Sequence, residues 1–315
     1  MSSMFTIHLL TKNNEKTIEK TLRSIQECNS RVMVGDMGST DSTVKICEEH
    51  NADVYRTHTL SRYEARNHLS KLSDKGWKMY IEPWEVMAQG HTLIDGTSGA
   101  CCRGKVLQNG ILSKEIRFWK IGEFVNPVFE RLNVVSDLEI DAVFYAIGGP
   151  DINETLQLLN KWKLDHPTAP QPYYYHACLA LSQGKYNDFL NLSDHYMAME
   201  SNKSCLSAVM NRYYYALAQV VYKKNHRLAL QNLNLCLCAN SLMAEFWCLT
   251  GDVFYHLLNN FEDASQFYRN AIFLGARRDS KDKWPMEISK YREYPEKMLQ
   301  SCESILGHES IWGRQ

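Results

Sequence analysis

The chain has 315 residues, of which 44% are apolar and 23% charged, and its formal net charge is -1. This length and apolar content suit two domains with buried cores, and near neutrality gives no global basis for nucleic-acid binding. Ten cysteines without paired C-x-x-C spacing predict reduced thiols and exclude a structural zinc site of that type. No signal-peptide pattern or long apolar run occurs, so we expect a cytoplasmic protein with no membrane partner.

The first part of the chain predicts a β-α-β-α-β order. The predicted strands are residues 5–10, 32–34, 52–55 and 76–81, and the predicted helices are 16–26, 42–50 and a segment through Leu69 and Leu72. Strands separated by helices in this way require a parallel sheet with right-handed crossovers. Two of the strand ends, at residues 11–15 and 36–41, should therefore lie side by side at one edge.

Residues 32–43, VMVGDMGSTDST, are the most informative stretch of this half. They predict a short buried strand that ends at Asp36 and a polar turn that leads into a helix. A carboxylate at the end of a parallel strand lies at the carboxyl edge of the sheet, where open α/β folds bind their ligands. Gly38 allows a close turn, and Ser39 can cap the next helix. The alternative is an ordinary strand-to-helix turn without a ligand.

Five landmarks follow one another over residues 4–86, and they read TKNNEKTIEKTLRSI, GDMGSTDSTVKI, ADVY, YEARNHL and GWKMYIEPWE. In this order they resemble the nucleotide-binding half of a family 2 glycosyltransferase with the GT-A fold. The most similar subgroup joins this domain to tetratricopeptide repeats and includes bacteriocin peptide S-glycosyltransferases. The resemblance implies an inverting enzyme that moves a sugar from a nucleotide-diphosphate sugar, foremost a UDP sugar, to a peptide or protein acceptor.

The resemblance also implies roles for individual residues. Asp36 would receive the uracil or ribose, and Arg66 would lie near the diphosphate. The segment 114–132, KEIRFWKIGEFVNPVFERL, resembles the acceptor side of the family, where Glu130 matches the base. The predicted catalytic residues are Glu130, Arg117 and Lys120, and the predicted donor-binding residues are Thr11, Asn13, Glu15, Asp36, Ser39, Arg66, Glu82, Trp84 and Glu85.

The metal position departs from the family pattern. An Asp-x-Asp motif is usual at the end of the fourth strand, but here Trp84 stands at the expected ligand position. An indole cannot coordinate Mn²⁺ or Mg²⁺, which require oxygen ligands. Ala146 stands where relatives often carry a metal-binding histidine. The sequence favours a metal-independent enzyme with no metal ligand, and it leaves Mn²⁺ or Mg²⁺ open as a cofactor. Trp84 would either stack on the sugar or acceptor or pack against other side chains of the protein.

The second half reads as consecutive helices. Ala229 and Ala264 occupy equivalent positions 35 residues apart, close to the 34-residue tetratricopeptide period. We predict tetratricopeptide-like repeats at 151–275 and a C-terminal helical tail at 276–315, which caps the last repeat or folds over the donor site. Three consecutive tyrosines at 173–175 and three at 213–215 predict one or two exposed rings in each triplet, in a groove or in a homodimer contact.

The predicted fold class is therefore an α/β GT-A domain at 1–150, Rossmann-like with a mostly parallel sheet, followed by an all-α repeat domain. Two alternatives to the peptide glycosyltransferase stay open. The same chemistry could act on a modified DNA base, because basic residues cluster between Arg103 and Arg131. A non-catalytic repeat scaffold carrying a degenerate transferase domain would instead explain Trp84, Phe129 and Ala146.

Overall fold

The computed structural model describes residues 5–73, 76–89, 100–125, 131–132, 139–279, 282 and 284–312. The chain divides into two compact units, Met1–Leu158 and Leu159–Gln315. In the part of the chain that is described, no helix is both long and apolar enough to cross a bilayer.

The first unit contains a mixed sheet. Its eight strands are β1 (Phe5–Thr11), β2 (Arg31–Asp36), β3 (Asp53–Arg56), β4 (Trp77–Tyr80), β5 (Glu85–Gln89), β6 (Cys101–Gln108), β7 (Ile111–Trp119) and β10 (Glu139–Ala146). Their order across the sheet is β3-β2-β1-β4-β7-β6-β10-β5. Two short strands, β8 (Phe124–Val125) and β9 (Arg131–Leu132), form a separate antiparallel pair.

Strands β1 to β4 are parallel, as predicted, and the strand order reverses between β1 and β4. Helices α1 (Ile18–Ser24) and α2 (Thr43–Glu49) share a core with Leu9, whereas α3 (Arg62–Leu72) shares one with Leu10. Because successive strand residues point to opposite faces, α3 lies on the other side of the sheet from α1 and α2. The carboxyl ends of β1 and β4 therefore flank a topological switch point.

The rest of the sheet is mixed, because it adds antiparallel pairs to the parallel ones, although β10 is parallel to β6. Strand β7 is antiparallel to both β4 and β6, and β5 is antiparallel to β10. Asn109 and Gly110 join β6 to β7 with φ angles of 50° and 78°, which suit a two-residue hairpin turn of type I′. A hairpin joins antiparallel neighbours, so the direction of β7 follows from this turn.

The second unit consists mainly of helices. They are α5 (Gln171–Ser182), α6 (Tyr186–Met199), α7 (Leu206–Ala218), α8 (His226–Ala239), α9 (Ala244–His256), α10 (Phe261–Gly275) and α11 (Glu293–Trp312); α4 (Ile152–Asp165) crosses the division between the units, and β11 (Met286–Glu287) is a short strand. Helices α5 to α10 pack as three consecutive pairs. Ala229 and Ala264, the predicted equivalent positions, are both fully buried on second helices of these pairs.

The C-terminal tail packs on the last pair, since α11 contacts α10 and α9. This is the arrangement expected of a tail that caps the repeats. In the tyrosine triplets, Tyr213 is buried and the other five rings are half-buried, so no ring is fully exposed and each triplet keeps partly accessible rings. All of them except Tyr215 have a described contact with a neighbouring aromatic ring, as Tyr213 does with Phe246 at 5.4 Å between centroids. These rings therefore contribute to the helical core and give no support for a homodimer.

Candidate functional site

Asp36 lies at the carboxyl end of β2, beside Thr11 at the end of β1. Its side chain accepts hydrogen bonds from the backbone N–H groups of Gly38 at 3.3 Å and Ser39 at 3.0 Å. Gly38 has a φ of 95°, which a glycine adopts without strain and which folds the loop back over the carboxylate. With 7% of its surface exposed, Asp36 can still accept one further donor at the rim.

The loops after β1 and β2 are joined by side-chain hydrogen bonds. Asn13 Oδ1 accepts from the Thr40 N–H at 2.8 Å, and the Asn13 N–H donates to Ser39 Oγ at 3.1 Å. Glu15 accepts from the Ser42 N–H at 3.1 Å. Three predicted donor-binding residues, Asn13, Glu15 and Ser39, therefore hold the two loops together. Thr11 is buried, and its hydroxyl donates to Asn14 at 3.0 Å.

One tight turn positions the two acidic residues that follow β4. The Glu85 N–H donates to the Glu82 carbonyl at 3.0 Å, which closes a four-residue turn with Pro83 at its second position. Proline favours that position because its φ is fixed near the required value. The Glu82 N–H in turn donates to the Glu85 carboxylate at 3.0 Å. Both carboxylates are thus fixed at the ends of the same turn.

Each of these carboxylates faces arginine. Arg117 donates from Nη1 and Nη2 to the two oxygens of Glu85, both at 2.8 Å. Arg62 donates to Glu82 at 3.1 Å, and Arg66 donates to the other Glu82 oxygen. The side chains of Arg66 and Arg117 are only 1% and 3% exposed, so these pairs are screened from water. Their separation would leave buried charges unpaired.

The ring of Tyr80 lies between two of the guanidinium groups. The guanidinium carbons of Arg66 and Arg117 are 4.6 and 4.4 Å from its centroid, within the range of cation–π contacts. Burial raises the pKa of Tyr80, so its hydroxyl stays protonated at neutral pH. Burial acts to lower the pKa of Arg117, but Glu85, Tyr80 and Glu115 together more than reverse this and raise it. The cluster is therefore a set of fixed charges rather than a proton relay.

Among the residues that the structure describes, this cluster is balanced in formal charge. Its arginines are Arg62, Arg66 and Arg117, and its glutamates are Glu82, Glu85 and Glu115, the last 2.9 Å from Arg117. The expectation that Arg66 and Arg117 stand ready for a diphosphate needs correction, because both already pair with carboxylates.

A divalent ion does not fit these residues. Glu82 and Glu85 are occupied by guanidinium groups, and Trp84 carries no oxygen ligand. Within the described ranges, no group of three or more histidine, cysteine, aspartate or glutamate residues could hold a metal.

The structure separates Lys120 from this edge. Lys120 follows β7, and its ammonium lies 4.5 Å from the ring centroid of Trp77. Trp77 pairs with Phe5 at the start of β1, whereas Asp36 pairs with Thr11 at the end. Six residue steps along a strand correspond to about 20 Å. Lys120 therefore lies far along the sheet from the residue predicted to hold the base or ribose, and its predicted catalytic role stays a prediction.

Other predicted positions are distributed as follows. Trp84 is half-buried, and its carbonyl accepts from the Ile147 N–H at 2.8 Å, which ties the turn to the end of β10. Glu130 lies outside the described residues, as does Phe129, so the predicted base stays a prediction.

Sequence reasoning missed Arg62 and Tyr80 as members of the cluster. The spacing of Arg62 and Arg66, four apart on a helix that starts after a strand, was the available signal.

No protein-family model matches the chain, and no curated protein matches it. Solved structures that are similar to part of it include MamA from residue 41 to its end, from Desulfovibrio magneticus RS-1. That structure is 17% identical, with 52% of this chain and 86% of that chain covered and a TM-score of 0.38. The Sgt2 TPR domain from Aspergillus fumigatus is 11% identical, with 46% and 83% covered and a TM-score of 0.36. These scores are too low to carry an argument, and the helix pairs described above support the helical-repeat prediction by themselves.

Proposed function

We propose that the protein is an inverting glycosyltransferase that binds a nucleotide-diphosphate sugar, foremost a UDP sugar, and transfers the sugar to a peptide or protein. The observation that carries the proposal is the position of Asp36, which ends β2 next to a topological switch point. A carboxylate there can accept from a base N–H or from ribose hydroxyls. The loops that Asn13 and Ser39 join form the rim against which the base would pack.

In the proposed reaction an acceptor atom attacks C1 of the sugar, and the bond from C1 to the diphosphate oxygen breaks with inversion. A carboxylate takes the acceptor proton, and the resemblance alone assigns this role to Glu130. Among the three arginines of the cluster, Arg62 has the most accessible side chain, at 23% exposed. Arg62 also pairs with Glu82, so it would meet the departing phosphates by exchanging that carboxylate for phosphate oxygens, while Arg66 and Arg117 keep Glu82 and Glu85 in position.

A non-catalytic scaffold is the second candidate, and the balanced charge of the cluster favours it. A departing nucleoside diphosphate carries about two negative charges that must be met by fixed positive charge. In the scaffold hypothesis, the arginine–glutamate pairs have taken over the space where phosphates would bind. The helical unit would then carry the function, and the first unit would serve as structural support.

Thermal unfolding with nucleotide sugars tests the proposal. UDP-glucose, UDP-N-acetylglucosamine and GDP-mannose are added separately, with and without Mn²⁺. A donor at 100 times its Kd should stabilise the protein by about 2.7 kcal/mol. Asp36→Asn should abolish this shift, because the carboxylate loses one of its acceptor oxygens. Glu48→Gln, on the exposed surface of α2, is the matched control and should keep the shift.

The outcomes separate the two candidates. No shift with any donor, or an equal shift in Asp36→Asn, would contradict the proposal. A shift without any turnover of the donor in the presence of peptide would instead favour the scaffold.

A further inference from the structure

A second candidate ligand site lies in the helical unit. A cavity of about 320 Å³ is lined by residues of α6, α7 and α8 and by Lys203, which lies between α6 and α7. This volume is at the lower end of the range for small-ligand sites. Second helices of two consecutive pairs, α6 and α8, form its walls, and the first helix α7 forms its floor. The residues that the argument uses are Asp194, Met197, Lys203, Asn211, Arg212 and Tyr215.

The floor of the cavity carries an unused hydrogen-bond donor. Asn211 is 1% exposed, and its Oδ1 accepts from Ser193 Oγ at 3.0 Å. Its Nδ2 has no hydrogen-bond partner among the described residues. A buried amide N–H without an acceptor is costly, and most such groups in folded proteins are satisfied. An acceptor atom of a ligand in the cavity would supply the missing partner.

Two positively charged side chains line the same cavity as this donor. Arg212, the next residue on α7, is half-buried, and no described residue forms an ion pair with it. The Lys203 ammonium donates to the Met197 carbonyl and has further N–H groups to offer. Asp194 contributes the opposing charge among the described lining residues, against the positive charges of Arg212 and Lys203. The cavity therefore offers donors and a net positive charge.

We propose that this cavity binds the carboxylate of a short peptide or small organic acid. A guanidinium binds a carboxylate through two parallel hydrogen bonds, and the Asn211 amide can donate to the same group from below. Met197 and Leu228 give the walls an apolar part that suits an aliphatic neighbour of the carboxylate. The site is independent of the proposed sugar transfer.

Calorimetric titration of the full chain tests the proposal with four probes. They are N-acetyl-leucyl-glutamate, its uncharged analogue N-acetyl-leucyl-glutaminamide, glutarate and inorganic phosphate. We expect the glutamate peptide to bind and the uncharged analogue to bind at least about tenfold more weakly. Glutarate that binds as well as the peptide would identify a small acid as the source of the carboxylate; weaker glutarate binding would identify a peptide.

Two arginine variants complete the test. Arg212→Gln should weaken binding of the glutamate peptide by about tenfold or more, because a charge-assisted pair is lost. Arg227→Gln, at an exposed arginine in the first turn of α8, should leave it unchanged. The proposal is overturned if the peptide does not bind, if phosphate binds more tightly than both carboxylates, or if the two variants behave alike. Circular dichroism of both variants checks that they are folded.

Discussion

Replacing Glu85 by alanine should lower the free energy of unfolding by about 3–5 kcal/mol. The substitution removes both acceptors of the bidentate pair with Arg117, whose side chain is 3% exposed. The Arg117 guanidinium would then be buried with little access to water. Its remaining partner, Glu115, is 42% exposed, and water weakens the attraction between the two charges. Urea denaturation of the wild type and the variant measures the difference.

Two further variants separate loss of the pair from loss of packing. The double variant with Glu85→Leu and Arg117→Met should recover most of the lost stability, since no buried charge is left alone. Glu49→Ala removes the exposed pair with Lys45 on α2 and should cost less than about 0.5 kcal/mol. A loss below about 1 kcal/mol in Glu85→Ala would show that the pair is not buried as described.

Replacing Asp252 by alanine should lower the free energy of unfolding by about 2–4 kcal/mol. Asp252 accepts from the Tyr268 hydroxyl at 2.8 Å and from the Tyr294 hydroxyl at 2.7 Å. Burial raises the pKa of both tyrosines, and the hydrogen bonds to Asp252 add to this effect. Both hydroxyls would lose their acceptor, and α11 would lose a contact to α9.

Asp252→Asn is the matched control, because its amide oxygen can still accept a hydrogen bond. We expect it to cost less than the alanine variant. Hydrogen exchange locates the effect: amides of α11 should exchange faster in Asp252→Ala, whereas those of α5 should not change. Equal losses in the alanine and asparagine variants would contradict an acceptor role for Asp252.

The sequence predicted the parts of the fold that depend on local pattern. Strand β2 contains the apolar run Val32–Val34 between polar breaks, and the helices that separate β1 to β4 favour a parallel order. Asp36 could be placed at a strand end for the same reason. The hairpin of β6 and β7 was also readable, because Asn109-Gly110 between alternating segments is a strong turn signal that the prediction did not use.

The site itself depended on contacts between distant residues. Arg117 and Glu85 are 32 positions apart, and nothing in the spacing indicates that both point into the same buried space. Lys120 shows conversely that residues close together in sequence can lie far apart in the structure. It lies three residues after Arg117, but β7 is antiparallel to β4 and carries it to the opposite edge of the sheet. Strand pairing and strand direction depend on the tertiary structure. The sequence therefore identified single charged residues but not the residues with which they form ion pairs.

The structure of the protein in complex with a UDP sugar tests the central claim most directly. Crystals soaked with the donor should show the base and ribose at the carboxyl ends of β1 and β2, with Asp36 accepting from the nucleotide. A nucleotide bound at any other place, with the rim at Asp36 closed by the side chains of the chain itself, would contradict the account.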